Sequence, residues 1–368
     1  MAKFRKWAIR VTLFLIVLLF VLSVAPYAVS IEQPAPPEKP FDNSRFESIN
    51  GVRVHVREWP SLQTPARGNV LLIHGFCGST FSWRQNVDAF AEAGYRVIAV
   101  DLPPFGYSDR AEGIDHSPAA RATLCWRTID AIAPATDGVV QTWFVFGHSM
   151  GGSVVGNMAL QQPSRTAGVI FVDGAMRMGG RGRRGYSDSL TQFAIGLPPV
   201  RRWVEVAAKY RMFQPENIRE LLGSAYGGPV DDETVAGYLG PLRVSGTASG
   251  ILDMFSAPQT RGGGNAREIT APAMVIWGDK DAWIPGRIGN ELFEELPNAD
   301  IEEIRFAGHC PMETHAKRFN ELVIGFLNKN SGPAAAEPSN PTELTYQSDG
   351  SDTSDTSDTS DKSDTSAP

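Results

Sequence analysis

Apolar residues along this chain fall into short runs, separated by stretches in which they recur every three or four positions. The runs are VRVHVREW (52–59), NVLLIHGF (69–76), YRVIAVDLP (95–103), VVQTWFVFG (139–147), AGVIFVDG (167–174), APAMVIWGDKD (271–281) and ADIEEIRFAG (299–308). Several are continuous rather than alternating, as strands buried on both faces are. Between them SWRQNVDAFAEAG, SPAARATLCWRTIDAIA, SMGGSVVGNMALQQP, GRIGNELFEELP and THAKRFNELVIGFLNK carry helical spacing. Strands interleaved with helices predict a mainly parallel sheet. The alternation breaks between 176 and 268, where SLTQFAI, RRWVEVAAKYR, PENIRELLGSAY and DETVAGYL read as helices without strong strands between them. The pattern therefore predicts one α/β core, 44–175 with 269–330, and a helical cap, 176–268, inserted after its sixth strand. Such an insertion lies over the C-terminal sheet edge, where open α/β folds place their sites.

Both ends stand apart from this core. Residues 11–29 are an uncharged apolar run, preceded by Lys3, Arg5, Lys6 and Arg10 and followed by Glu32 and Glu38. A helix of that length matches a bilayer core of about 30 Å. The positive-inside rule then keeps residues 1–30 as a cytoplasmic stub plus anchor and exports the catalytic part. The competing reading is a secreted protein whose signal peptide is cleaved near Ala28-Val29-Ser30. Residues 31–43 read as a proline-rich linker standing the domain off the membrane. Residues 331–368 end in an acidic Ser-Asp-Thr repeat that cannot offset the entropy of ordering, so a disordered tail is expected.

Charge sharpens the picture. The formal net charge is −7, and the tail, with eight acids and one lysine, accounts for all of it. A body summing to zero gives no electrostatic case for nucleic acid. Cys77, Cys125 and Cys310 make no metal-ligand spacing and no disulfide framework. Cys125 fits a core helix, and Cys77 and Cys310 read as independent thiols, with a bridge between them as the alternative.

The chemistry centres on GHSMGG (147–152). Ser149 follows a predicted strand and opens a predicted helix, the setting in which a tight turn pushes a serine hydroxyl into the open. Such a turn needs tiny neighbours two positions away, and they are Gly147 and Gly151. A serine also needs a base. Of six histidines, His55 lies in a strand pattern, His116 has no assigned role, His315 sits in the last helix, and His148 cannot easily turn back onto Ser149. His74, with Gly75, shapes the turn after the third strand. His309, on the loop after the last strand, is the base this leaves. Asp281 is the carboxylate chosen to orient it, with Asp279 and Asp173 as rivals. Two N–H donors for a developing oxyanion are expected from Met150 and from Phe76, with Cys77 as a second candidate on that loop.

With these residues in place the chain resembles the α/β-hydrolase family over about residues 44–330. The motifs that carry the resemblance are HGF (74–76), DLPPFGYSDR (101–110), GHSMGG, GDKDAWIP (278–285) and GHCPMETH (308–315). The resemblance implies an eight-stranded, mostly parallel sheet with a helical cap, no cofactor and no metal. It implies Ser149 as nucleophile, Asp281 as orienting acid and His309 as base. Pro104 departs from the glycine many relatives carry. GHSMGG looks most like the carboxylesterase and monoacylglycerol lipase-like branch, so the expected function is cleavage of a small, apolar carboxylic ester through an acyl-enzyme. The alternatives are a serine hydrolase of a C–C or amide bond and a non-catalytic ligand-binding scaffold. C–C hydrolases often carry tryptophan after the histidine, where this chain has Cys310. In the cap, Arg177, Arg181, Arg183 and Arg184 read as a solvated basic loop, with an anionic ligand as the other reading.

Overall fold

A computed structural model describes residues 2–135, 140–176, 193–256 and 264–331. The arginine cluster at 177–184 and the tail beyond 331 lie outside the described residues. The core is an eight-stranded sheet in the order β1-β2-β4-β3-β5-β6-β7-β8. Its strands are β1 (Ser44–Ile49), β2 (Val52–Trp59), β3 (Gly68–Ile73), β4 (Tyr95–Val100), β5 (Trp143–His148), β6 (Thr166–Val172), β7 (Ala273–Gly278) and β8 (Ala299–Ile304). β2 runs antiparallel to both β1 and β4, and every other pairing is parallel. The continuous runs explain the centre: all residues of β5 and β7 are buried, because helices cover both sheet faces. β1 escaped the sequence pattern because SRFESI is short and half polar; only its ladder with β2 makes it a strand.

The helices named here are α1 (Ala2–Val24), α2 (Val87–Glu92), α3 (Pro118–Ile132), α4 (Met150–Gln161), α5 (Pro198–Ala207), α6 (Pro215–Tyr226), α7 (Asp232–Leu242), α8 (Thr247–Ser256), α9 (Arg287–Glu295) and α10 (Ala316–Asn330). Local chemistry sets their ends. The Ser117 hydroxyl accepts from Ala120 N–H at 3.2 Å and Pro118 opens α3. Asp231 caps α7 through Thr234 N–H at 2.6 Å, and Gly227, with φ +68°, ends α6. One apolar cluster packs α3 and α4 on one face, with Trp126, Val154 and Phe171 at its centre. The other face carries Trp83, Phe90, Phe146 and Phe319.

Helices α5–α8 lie between β6 and β7 and form the cap, with an apolar centre of its own around Phe213, Leu222 and Leu239. The loop pattern had missed α8, whose glycine-containing sequence TASGILDMFS has weak helical spacing. Gly250 lets it lie against Pro104, where a Cβ would overlap the proline ring.

α1 belongs to a stretch, Lys3–Ala28, long and apolar enough to cross a membrane, with an 18-residue window of mean hydropathy 2.7 that is not buried in the protein. The chain just after α1 is tied to the start of the cap. Arg202 donates to the carbonyls of Pro26 and Val29, Lys209 to those of Ser30 and Glu32, and Tyr210 to Ser30 at 2.7 Å. These carbonyls have no ladder partners, and Arg202 of α5 with Lys209 and Tyr210 just after it supplies the donors.

Candidate active site

Ser149 sits between β5 and α4 at φ +50°, ψ −117°, a conformation that costs a non-glycine residue about 1–3 kcal/mol. The turn is held by Ser149 N–H donating to Val172 O at 2.9 Å and Gly152 N–H to Ser149 O at 2.9 Å. Crowding accounts for the glycines. A Cβ on Gly147 would run into the Gly151 carbonyl, and one on Gly151 would lie 2.7 Å from Ile73 O. One on Gly75 would lie 2.8 Å from the His148 ring and 3.0 Å from Ser149 Cβ.

The structure brings Ser149, His309 and Asp281 into one line. His309 Nδ1–H faces Asp281 Oδ2 at 2.8 Å, which leaves Nε2 to accept from the Ser149 hydroxyl at 2.9 Å. The other Asp281 oxygen accepts from Trp283 N–H at 2.8 Å and Ile284 N–H at 2.9 Å. Burial pushes this carboxyl up, but the His309 bond and charge and the two N–H donors outweigh it and hold Asp281 below the usual carboxylate range. Of the rivals, Asp279 pairs with Lys280 at 3.3 Å. Asp173 lies in the site, with its carboxyl, that of Asp281 and the His309 ring all within 4.8 Å of one another. Such a group could hold a cation by distance, yet both His309 nitrogens already have protein partners, so we assign no metal.

The other histidines fall outside the line. His148 Nε2–H donates to the His309 carbonyl at 2.8 Å, and burial, with His309 nearby, pushes its pKa down to about 3. His74 Nδ1–H donates to Gly75 O at 2.7 Å and Nε2 accepts from Leu102 N–H at 2.9 Å, so both nitrogens shape the turn after β3. Burial lowers its pKa as well. His116 is buried beside Arg121 and pushed down to about 4, first by burial and then by that guanidinium. Among the described residues, neither the Met150 nor the Phe76 backbone N–H donates to a protein acceptor. All three cysteines are free thiols, and burial raises each of them, Cys77 and Cys125 to about 12.

Three contacts were invisible in the pattern. Trp283 stacks on His309, with ring centroids 5.2 Å apart and an interplanar angle of 27°, and its Nε1–H donates to Ser224 Oγ at 3.1 Å. Its only signal was its place two residues after Asp281. The His309 backbone N–H donates to Ala225 O at 2.6 Å, and Gly308 has no room for a Cβ because the Ala225 and Tyr226 backbone lies against it. Glu313, four residues on, pairs with Arg84 and accepts from Tyr226 at 2.6 Å and Tyr238 at 2.5 Å. Arg84 also reaches Thr234 Oγ1 at 2.9 Å. Core and cap are thus stitched directly behind His309. On the loop after β3 the exposed Phe76 packs edge-on to the buried Phe105 at 5.3 Å and meets Phe255 of α8 at 5.8 Å.

A family model described as "Alpha/beta hydrolase family" matches residues 70–322. The chain belongs to that family. A 2-hydroxy-6-oxononadienedioate/2-hydroxy-6-oxononatrienedioate hydrolase of Burkholderia vietnamiensis is 31% identical over 272 residues, 71% of this chain and 87% of the relative. A hydrolase of the same description from Paraburkholderia phymatum is 30% identical, covering 77% and 94% of the two chains. Among solved structures, the meta-cleavage product hydrolase of Pseudomonas fluorescens superposes with a TM-score of 0.59 at 21% identity, over 77% of this chain and 97% of its own. That structural likeness speaks for the fold. These relatives bear the names of the alternative reading, not those of the esterase and lipase branch.

Proposed function

We propose that this chain is a serine hydrolase that cleaves a bond at a carbonyl carbon through an acyl-enzyme. The observation that carries this reading is the unbroken line from Asp281 through His309 to a Ser149 hydroxyl held at the strained turn. His309 Nε2 takes the proton as Ser149 Oγ attacks. The N–H groups of Met150 and Phe76 face the developing oxyanion, which needs preorganised donors that have no other partner. On collapse His309 returns the proton to the leaving fragment, then activates the water that releases the acid. Asp281, kept ionised by its donors, stabilises the imidazolium, and the Trp283 face lies against it.

For the bond itself, the names of the relatives support C–C cleavage of a ring-cleavage-type keto acid. A carboxylic ester is the second reading. It is supported by Cys310 in place of tryptophan after His309 and by the apolar wall of Phe76, Phe105 and Phe255. We infer that α1 anchors the enzyme, with residues beyond it exported, on the strength of its hydropathy and the basic residues in its first turns. N-terminal sequencing of membrane-extracted protein separates an anchor from a cleaved signal.

The deciding experiment is fluorophosphonate labelling of wild type and Ser149→Ala, followed by a panel of p-nitrophenyl esters and a 2-hydroxy-6-oxo-dienoate. Labelling lost only in the variant supports the nucleophile, and the panel assigns the bond. A wild-type protein that neither labels nor turns over either substrate sinks the reading.

A further inference from the structure

Asp173 follows β6 and is fully buried. Its backbone is unusual: φ is +41°, and its N–H donates to Ile276 O at 2.9 Å. Gly174 beside it is pressed onto the Ser149 backbone so closely that no Cβ would fit. One carboxyl oxygen, Oδ1, accepts from Gly278 N–H at 2.9 Å. The other, Oδ2, is sealed from solvent and receives no donor. For a carboxylate this is an expensive arrangement, because a buried oxygen carrying charge needs partners.

The geometry beside it removes the difficulty. The Asp173 carboxyl faces Asp281, and two carboxylates this close in a dry site do not both ionise. Asp281 has the better claim to the charge, with His309 and two backbone donors around it. Asp173 has only Gly278. An Oδ2 that carries the proton turns from an acceptor without a donor into a donor facing a carboxylate. We propose that Asp173 is a neutral carboxylic acid that donates to the Asp281 carboxylate and so positions the orienting acid of the Ser149 site. The residue that competes with Asp281 in the sequence is thereby its support. Burial, followed by contact with Asp281, raises the Asp173 carboxyl well above its usual range, in the same direction as the geometry.

The inference rests on the Ser149 reading for its catalytic consequence but not for the protonation itself. The titratable groups facing this pair are Asp281, His309, His148 and Cys310. Asp173→Asn keeps an acceptor for Gly278 N–H and a donor for Asp281. It should hold kcat within about threefold and leave the acidic limb of the pH–rate profile in place. Asp173→Ala removes the donor and should lower kcat roughly tenfold with KM within about twofold, in protein whose near-ultraviolet circular dichroism is native. An infrared difference spectrum of wild type minus Asp173→Asn at neutral pH should show the carbonyl stretch of a protonated carboxylic acid.

Absence of that band overturns the proposal. So does an acidic limb displaced to lower pH in Asp173→Asn, the mark of a lost negative charge beside His309. A large loss of kcat in the asparagine variant, or none in a folded alanine variant, also overturns it. Failure of the Ser149 reading looks different: fluorophosphonate does not label wild type, while the infrared band persists.

Discussion

Among the described residues the line serine–histidine–aspartate occurs twice. Besides Ser149–His309–Asp281, the Ser44 hydroxyl lies 2.8 Å from His55 Nε2, and His55 Nδ1 faces Asp101 Oδ2 at 2.6 Å. By distances alone the second is the tighter of the two. What surrounds each line differs. Ser44 lies in a regular strand opposite Arg57, and its hydroxyl already accepts from Phe41 N–H at 3.0 Å. Asp101 is saturated by His55, Thr80 N–H at 2.6 Å and Tyr107 N–H at 2.8 Å, and Gly106 curls against it at φ +60°. That cluster ties β1 and β2 to the loop after β4. Ser149 instead occupies a strained turn at a helix start, beside backbone donors without protein acceptors. A hydrogen-bonded triad is thus common chemistry, and the backbone around the serine gives it a use.

The largest test of this contrast is a pair of alanine substitutions at the serines. Ser149→Ala should lower kcat/KM by roughly 10⁴-fold or more, whereas Ser44→Ala should stay within about twofold, both read on the substrate that the panel identifies. If Ser44→Ala also abolished turnover, the contrast would collapse.

The histidines should separate stability from activity. His55→Ala strands Asp101 in the core and should cost about 3–5 kcal/mol in urea unfolding. His309→Ala should abolish turnover at much smaller cost, because its neighbours Trp283 and Ser149 border the site.

The two aspartates respond to acid with the same sign and part company in activity. Burial pushes Asp101 up, but the charge and hydrogen bond of His55, with His74 and the Tyr107 N–H, hold it below the usual carboxylate range. A depressed folded value means that its stabilisation is present above the ordinary aspartate value of about 3.9 and is lost as pH falls through the folded one. Asp101→Asn should therefore lower the melting temperature at neutral pH and flatten its decline below about pH 4, as thermal melts across that range would show. Asp281, held below the usual range by His309 and two backbone donors, carries the same sign, so Asp281→Asn should also flatten the decline below about pH 4 and, unlike Asp101→Asn, should remove activity as well.

The smallest effect belongs to Trp283. Removing its face from the imidazolium by Trp283→Leu should lower kcat about two- to fivefold, the equivalent of a half-exposed cation–π contact, with the largest deficit at low salt. An unchanged kcat would reduce the stack to packing.

Much of this was legible in the chain. Continuous apolar runs gave β3–β7 because those strands are covered on both faces, and steric crowding makes Gly147, Ser149 and Gly151 readable together. PENIRELLGSAY marked α6 to the residue, because proline opens it and Gly227 ends it. What stayed hidden depends on partners distant in sequence. Nothing local to Asp173 says that Asp281 stands opposite, and nothing in Ser44 says that it meets His55. Trp283 and Glu313 were quoted within motifs without a role, since their meaning lies in Ser224, Tyr226 and Tyr238 of the cap. The contacts of Pro26, Val29 and Ser30 with Arg202, Lys209 and Tyr210 were hidden for the same reason.

The close fit of Gly308 under the end of α6 sets the mechanics of the cap. Because His309 hangs by its own N–H from Ala225, that end of the cap is tied to the loop after β8 and is not a free rim. A bodily lift of the cap would drag His309 away from Ser149 and disarm the enzyme. The placing of the cap and the register of His309 with Ser149 are one constraint, held by the Ala225 carbonyl and by a glycine with no room for a side chain.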